Sequence, residues 1–327
     1  MKAVAIEKPG GPEVLKLVEV KEPKPQKGEV RIKVKAAGVN RADLLQRKGH
    51  YPPPAGWPAD IPGLEFAGVV DELGVETHGF SIGQRVFGLC GGGAYAQYII
   101  VHAGELNRMP DHLTFEEAAA VPEAFITAYD AMVSQGRLTS GETVLINAVG
   151  SGVGIAALQI AKVLLATTIG TSRSEEKLLK AKEYGLDHAI AVKDRSFKAE
   201  VLKITEGRGV DLVLELVGGP YLNESVKAAA PRGRVILVGL MAGASTDVDL
   251  ASVLTKRLEL RGTTLRARPL EEKIQVASSF TKHVVPLFEQ GLLKAVVDKV
   301  MPLSEAASAH RYLENNANFG KVVLQVD

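Results

Sequence analysis

The sequence predicts an α/β chain of two lobes, one an antiparallel barrel-like array of short strands and the other a doubly wound parallel sheet. Three observations predict it. The 327 residues exceed what a single hydrophobic core usually serves. The first hundred residues read as short β-rich runs with Gly or Pro in nearly every gap. From Thr143 onward, near-continuous apolar strands alternate with segments of helical period, the pattern of a parallel sheet covered on both faces.

In chain order, the predicted strands of the first lobe are 2–6, 15–20, 29–37, 67–73 and 95–101, with one short helix at 41–47 and a Pro-rich loop at 51–58. Thr114, three residues before Glu117, forms a capping box that opens a helical run at 115–121, and helical text continues through 129–133. The second lobe follows as strand 143–147, helix 152–165, strand 167–171, helix 175–184 and strand 189–192. It continues with helix 198–205, strand 210–216, helix 222–230 and strands 234–240 and 258–263. A long helix at 270–288, a strand at 297–300, a helix capped by Ser304 and a strand at 321–326 are expected to return to the first lobe.

Composition removes several function classes. Lys and Arg total 39 against 38 Asp and Glu, so a net charge of +1 gives no general nucleic-acid surface. Cys90 is the one cysteine, which excludes an intrachain disulfide framework and any multi-cysteine zinc lobe. The N-terminus enters a strand without a signal core, and no apolar run approaches the roughly 20 residues that cross a bilayer. A cytoplasmic protein without membrane partners is expected.

Strand 143–147 leads at once into Ala148-Val-Gly-Ser-Gly-Val-Gly154 and then a helix. A helix N-terminus presents unpaired N–H groups with partial positive charge, so this turn suits a dinucleotide pyrophosphate. Gly150, Ser151, Gly152, Val153 and Gly154 are the candidate cradle, their small members allowing close backbone approach. Read strictly against G-x-G-x-x-G, Val149 and Ser151 replace the first two glycines and Gly154 alone is kept, and a plain glycine-rich turn is the alternative. At the end of the next strand, where an Asp or Glu would grip the ribose of NAD, the chain carries Ser172, Arg173 and, further on, Lys177. Hydroxyl and cationic groups there favour the 2′-phosphate of NADPH. Capping by Ser172 or Ser174 and solvated helix charges are the alternative.

Several segments together carry a family resemblance: Ala37-Gly-Val-Asn-Arg-Ala-Asp43, Gly49-His-Tyr-Pro-Pro-Pro54, Pro62-Gly-Leu-Glu65, Gly92-Gly-Ala-Tyr-Ala-Gln97, 119–127, 150–154, Val238-Gly-Leu-Met241 and Asn318-Phe-Gly-Lys-Val322. On these, the chain resembles over its full length the zinc-free quinone oxidoreductases of the medium-chain dehydrogenase/reductase superfamily, the zeta-crystallin group, and within it the stress-inducible branch. The resemblance implies a GroES-like β-barrel catalytic domain at 1–122 with 266–327 and a Rossmann NADPH-binding domain at 123–265. Zinc-containing relatives place Cys where Asn40 stands and His where Leu64 stands; Asn and Leu supply neither thiolate nor imidazole, so no metal site is expected.

By the same resemblance, Asn40, Asp43 and Tyr51 line the substrate side, while Thr127, Gly239, Leu240, Met241, Phe319 and Lys321 join the Gly150 to Gly154 turn, Ser172, Arg173 and Lys177 around the cofactor. Val192 departs from the pattern, since many relatives carry Tyr there, and one adenine or phosphate contact is lost. A homodimer joined through an edge strand near 234–240 or 258–263 is also implied.

Tyr51 offers a phenol to a quinone oxygen, or simply plugs its loop. Asn40 offers an amide donor, or N-caps the helix it precedes. Cys90 has no base partner in the local sequence, and the seven histidines show no ligand spacing. Arg266 and Arg268 stand at the cleft mouth by resemblance, or in a charged surface loop. The expected activity is NADPH-dependent reduction of quinones or conjugated carbonyls. An alkenal or enoyl-thioester reductase on the same scaffold and an NADPH-binding protein without turnover are the rivals.

Overall fold

A computed structural model describes all 327 residues and divides them into two units, Met1–Ile126 with Leu265–Asp327, and Thr127–Thr264. The first unit opens with strands β1 (Lys2–Ile6), β2 (Leu15–Glu19), β3 (Glu29–Val39), β4 (Glu65–Leu73), β5 (Arg85–Leu89), β6 (Tyr98–His102) and β7 (Leu106–Arg108). Helices α1 (Arg41–Arg47) and α2 (Phe115–Ala119) belong to it. The second unit holds α3 (Thr127–Tyr129), β8 (Thr143–Ile146), α4 (Gly152–Val163), β9 (Thr167–Ser172), α5 (Glu175–Lys182), β10 (His188–Ala191), α6 (Lys198–Ile204) and β11 (Val210–Glu215). It ends with α7 (Pro220–Ala228), β12 (Ala229–Leu237), α8 (Leu250–Lys256) and β13 (Glu259–Gly262). The chain then returns to the first unit with α9 (Leu270–His283), α10 (Val285–Glu289), β14 (Val297–Pro302), α11 (Ala306–Glu314) and β15 (Lys321–Gln325).

In the first unit a seven-stranded sheet runs β14-β15-β3-β4-β5-β7, with β6 also paired to β3. Its pairs are antiparallel except β14 with β15. The first half of β3 alternates, burying Val30, Ile32 and Val34, whereas Ala36 to Val39 are buried throughout. That change of pattern carries the strand end into the interior and delivers Asn40 and α1 to a buried position. In the second unit all six strands are parallel in the order β10-β9-β8-β11-β12-β13. The strand order turns back at β8, with β9 and β10 on one side and β11 to β13 on the other, and ligands of such sheets bind beyond the strand ends at that point.

Several expectations change. The long helix predicted at 270–288 is two helices, because Pro286 lacks an N–H and α9 stops at His283 before α10 begins. Ser304 lies in a 3₁₀ turn, Leu303–Glu305, and caps nothing. The helical text at 129–133 is π-helical over Asp130–Gln135. The strand predicted from Tyr95 begins at Tyr98. The segment 234–240 lies within and beyond β12, an interior strand flanked by β11 and β13, so of the two expected segments only 258–263, which holds β13, lies at a sheet edge.

Four side chains with almost no exposed surface form a line through the first unit. Arg47 Nη1 lies 3.4 Å from His310 Nδ1, His310 Nε2 lies 3.1 Å from Tyr95 Oη, and the Tyr95 hydroxyl donates to Asp43 Oδ2 at 3.2 Å. Burial first, then the Arg47 cation, holds His310 down to a pKa of about 3, so the ring is neutral. A neutral ring accepts at one nitrogen and donates from the other, which lets the line run from Arg47 to Asp43 without conflict. It ties α1 to α11.

Between pH of about 3 and about 6.5 the unfolded chain takes up a proton that folded His310 refuses, so this group makes stability rise with pH across that window and level off above it. Replacing His310 with Gln is expected to cost about 1–3 kcal/mol at neutral pH. The deficit should shrink below about pH 6, and thermal unfolding of both proteins from pH 4 to 8 checks this. A constant offset at every pH would contradict it.

Candidate active site

The end of β8 and the start of α4 form a tight turn in the second unit. Ala148 takes a positive φ of 51°, and the Val149 N–H donates to Thr171 O at 2.9 Å. Ser151 caps α4, its Oγ accepting from the Gly154 N–H at 3.1 Å. No acidic residue occupies the first turn of α4 to oppose an anion. A Cβ on Gly154 would lie 2.5 Å from Ala148 O, and one on Gly150 would lie 2.9 Å from Lys177 Cβ. Glycine at 154 therefore lets the helix sit against the turn, and glycine at 150 lets the Lys177 stem lie against the loop. These residues fit a dinucleotide pyrophosphate: a capped helix N-terminus on a bare backbone turn.

At the end of β9, Ser172 Oγ accepts from Ser174 N at 3.1 Å, and Ser174 Oγ accepts from Lys177 N at 3.2 Å. Ser174 is thus the cap of α5, while Ser172 and exposed Arg173 stay at the strand end. Burial raises the pKa of the Tyr221 phenol, against which the cations Arg173 and Arg195 act, so a second arginine accompanies Arg173. Val192 is buried and its N–H donates to Ser172 O, a packing role that leaves no polar group where a Tyr would stand.

Beyond β11 and β12, Gly218 and Gly239 approach so closely that a Cβ on Gly218 would meet Gly239 O at 2.8 Å. Leu240 and Met241 are exposed beside them. Thr127, in α3, is buried in the same unit.

Under these strand ends lies a buried polar network that sequence reasoning missed. Thr171 Oγ1 donates to Asn147 Oδ1 (2.7 Å), and Asn147 Nδ2 donates to Glu215 Oε2 (2.7 Å) and Ser225 Oγ (3.0 Å). The Ser225 hydroxyl donates to Glu215 Oε2 at 2.6 Å, and the N–H groups of Val217 and Gly218 donate to Glu215 Oε1. Burial raises the Glu215 pKa, and these donors oppose that rise. The network joins β8, β9, β11 and α7, and fixes the strand ends relative to one another.

In the first unit, Asn40, Asp43, Glu65 and Lys321 form one cluster. Asn40 begins α1 in a capping box, its N–H donating to Asp43 Oδ2 at 2.8 Å. Its amide donates to Glu65 Oε1 at 2.9 Å, and its Oδ1 accepts from the Lys321 ammonium at 2.5 Å. Asp43 also accepts from Gly63 N and the Tyr95 hydroxyl, and burial raises its pKa to about 6. Gly38 makes room for this cluster, since a Cβ there would overlap the Glu65 carboxylate.

Both Asn40 and Asp43 are therefore held by the protein itself: Asn40 is the cap that sequence offered as the alternative to a substrate donor, and Asp43 is a buried acceptor. Lys321 is ion-paired to Glu65 at 2.5 Å and also reaches Val39 O, so its charge is not available to a phosphate. Phe319 and Lys321 both lie in the first unit, not in the unit of the glycine turn.

Tyr51 is half-buried and its phenol makes no hydrogen bond to the chain. Burial raises its pKa, opposed by the Arg266 cation. Arg266 corrects the surface-loop alternative: it is buried, donates to Gly91 O (2.8 Å), Tyr51 O (3.0 Å) and Gln46 Oε1 (2.5 Å), and lies 5.0 Å from the Tyr51 ring centroid. Arg268 pairs loosely with Glu272. Cys90 is buried, donates to Gly63 O, and burial pushes its thiol up, which removes a thiolate role.

A cavity in this unit, partly open to solvent, is walled by Leu64, Leu89, Ile126 and Val276, with Glu123 and Arg266 among its polar groups. No cluster of three or more His, Cys, Asp or Glu side chains is placed to hold a metal, and no helix is long and apolar enough to cross a membrane.

Residues 152–282 match the zinc-binding dehydrogenase family, and 26–111 the alcohol dehydrogenase GroES-like domain family. A quinone oxidoreductase of Lama guanicoe is 31% identical over 99% of this chain and 97% of its own. A mycobacterial structure complexed with NADPH superposes with a TM-score of 0.90 at 29% identity, covering 99% of each chain. The CurK enoyl reductase structure gives 0.87 at 27% identity, over 100% of this chain and 99% of that one.

Replacing Gly154 with Ala is expected to force the turn away from α4 and weaken dinucleotide binding about tenfold or more, since a misfit of this size costs on the order of 1–3 kcal/mol. Thermal unfolding with and without NADPH checks it: the parent should gain stability from the ligand and the variant should gain less.

Proposed function

The chain belongs to the medium-chain dehydrogenase/reductase family, and from that premise we propose that it is an NADPH-dependent, zinc-independent reductase of quinones. The observation that carries this reading is the cavity of the first unit, whose walls are mostly apolar, with the charged groups Glu105, Glu123, Arg266 and Lys273 set among them. A flat conjugated ring fits apolar walls, and a few fixed polar groups orient its oxygens. NADPH, when bound, supplies the hydride. The protein supplies position and electrostatics.

The amides at the start of α4 would hold the pyrophosphate, and Ser172, Arg173 and Lys177 the 2′-phosphate. Thr127, Gly239, Leu240 and Met241 complete the proposed contacts in that unit. In the first unit the free phenol of Tyr51 is the proposed hydrogen-bond donor that orients the acceptor oxygen. Asn40 and Asp43 act as positioning residues through α1, and Phe319 and Lys321 are the proposed cofactor contacts of the first unit.

Zinc independence is supported by the donor set: Leu64 offers no ligand, and the Asn40 amide is already shared between Glu65 and Lys321. The matched stretch whose family description mentions zinc, residues 152–282, contains neither position. A second reading, reduction of an enoyl thioester, is favoured by the likeness to the CurK enoyl reductase.

A homodimer through β13 is also proposed. All four residues of that edge strand are exposed, and Leu250 and Leu254 of α8 are exposed as well. Light scattering at micromolar concentration should give twice the chain mass, and Leu260→Lys should halve it; a monomeric parent would refute the dimer.

For the activity, Arg173→Ala should weaken NADPH by about 10- to 100-fold, since a charge-assisted contact contributes about 1.5–3 kcal/mol, and should leave NADH unchanged. Tyr51→Phe should lower kcat/KM for a quinone about tenfold. Fluorescence titration with both nucleotides and side-by-side kinetics on orthoquinones, enals and enoyl thioesters read these outcomes. Preference for the thioester would select the second reading, and equal affinity for NADH would refute the cofactor assignment.

A further inference from the structure

Glu123 is a titratable group of the cavity wall. It lies in the π-helical segment Pro122–Ile126 that follows α2. Wide helical turns of this kind depart from regular backbone bonding and re-aim a side chain. Its main-chain N–H donates to Glu65 Oε2 at 2.7 Å, which anchors the segment. Glu123 is also a lining residue of the cavity, and its carboxyl accepts no hydrogen bond from the chain.

The contrast with its neighbour decides the roles. Glu65 has no exposed surface and receives Asn40 Nδ2, the Lys321 ammonium and the Glu123 N–H. Its charge is fully compensated. Glu123 is partly buried, unpaired and adjacent to that fixed negative charge.

We propose that Glu123 is the proton donor of the reaction: its carboxylic acid faces the acceptor in the cavity and protonates the oxygen that becomes anionic on reduction. This rests on the reading of the cavity as the acceptor site. The balance is complete for a quinone. Hydride brings two electrons and one hydron, leaving a hydroquinone monoanion. The Glu123 O–H bond then breaks, the proton joins the phenolate oxygen, and hydroquinone and the Glu123 carboxylate result. Water restores the proton, a route that partial exposure of Glu123 permits. For an enone the same proton quenches the enolate.

The surrounding charges suit the task. Burial first and the Glu65 carboxylate second push Glu123 up to about 7, Lys321 and Arg266 pull it down, and Asp43 adds a smaller upward push. Glu105 and Lys273 also line the cavity, and Tyr51 senses both Glu123 and Arg266. A donor whose pKa lies near the working pH is protonated often enough to act and acidic enough to give its proton up.

The test uses full-length protein with Glu123→Gln and Glu123→Asp. In protein labelled at glutamate side-chain carboxyl carbons, one resonance missing from Glu123→Gln should titrate with a midpoint near 7, well above ordinary glutamates. Quinone kcat/KM in the parent should fall as pH rises through that midpoint. Glu123→Gln should lose about a hundredfold and flatten the profile, with NADPH affinity intact as the check on folding. Glu123→Asp should recover part of the rate and keep a sloping profile.

An active parent whose Glu123→Gln variant keeps its rate and pH profile overturns the donor alone, as does a resonance with an ordinary midpoint. A parent that reduces no acceptor overturns the reading of the cavity, and the donor with it.

Discussion

The second unit depends on one close approach, that of Gly154 to the carbonyls of Ala148 and Val149. Any side chain at 154 would occupy the space in which α4 meets the end of β8. Because glycine leaves it free, the helix begins directly at the strand end, and its first turn lies where the strand order turns back. The buried net of Asn147, Thr171, Glu215 and Ser225 then locks that strand end to its neighbours, so an anion held there meets a fixed frame. Buried polar groups satisfied this fully rigidify a site, and each would be costly if a partner were lost.

The first unit solves a different problem. It gathers Asp43, Glu65, Glu123 and Lys321 at the end of β3, with the Arg266 cation also acting on Asp43 and Glu123. Lys321 takes Glu65. Asp43 is satisfied by two backbone N–H groups and a tyrosine. Glu123 is left without a donor, and it is the group that lines the cavity. In a place where zinc-containing relatives put ligands, this chain has a hydrogen-bonded asparagine and a buried leucine, which supports the proposed zinc-independent chemistry by proton placement and orientation.

Much of the framework was legible because local chemistry specified it. The short helix expected near 41–47 is α1, held at its start by the Asn40 cap and the Asp43 box. The strand, turn and helix around Ala148 to Gly154 were legible because a strand, a bare turn and a helix follow in direct succession. What escaped the sequence depends on contacts made at long range or on surfaces without a pattern. Helix α8 buries none of its residues, so no periodic apolar face announced it. Strands β5 and β7 are short, and only pairing with β4 and with each other orders them. Arg266 reads as a loop charge until the chain folds and places Gly91, Tyr51 and Gln46 around it. Glu123 sits in helical text beside a proline, and its importance comes from Glu65, 58 residues earlier.

The account turns on whether the turn between β8 and α4 grips a nicotinamide nucleotide. A crystal structure of the chain grown with excess NADPH tests this most directly. The account predicts the pyrophosphate within hydrogen-bond distance of the backbone N–H groups at the start of α4 and the 2′-phosphate against Ser172 and Arg173. A turn left empty, or filled by the protein's own side chains, would contradict it.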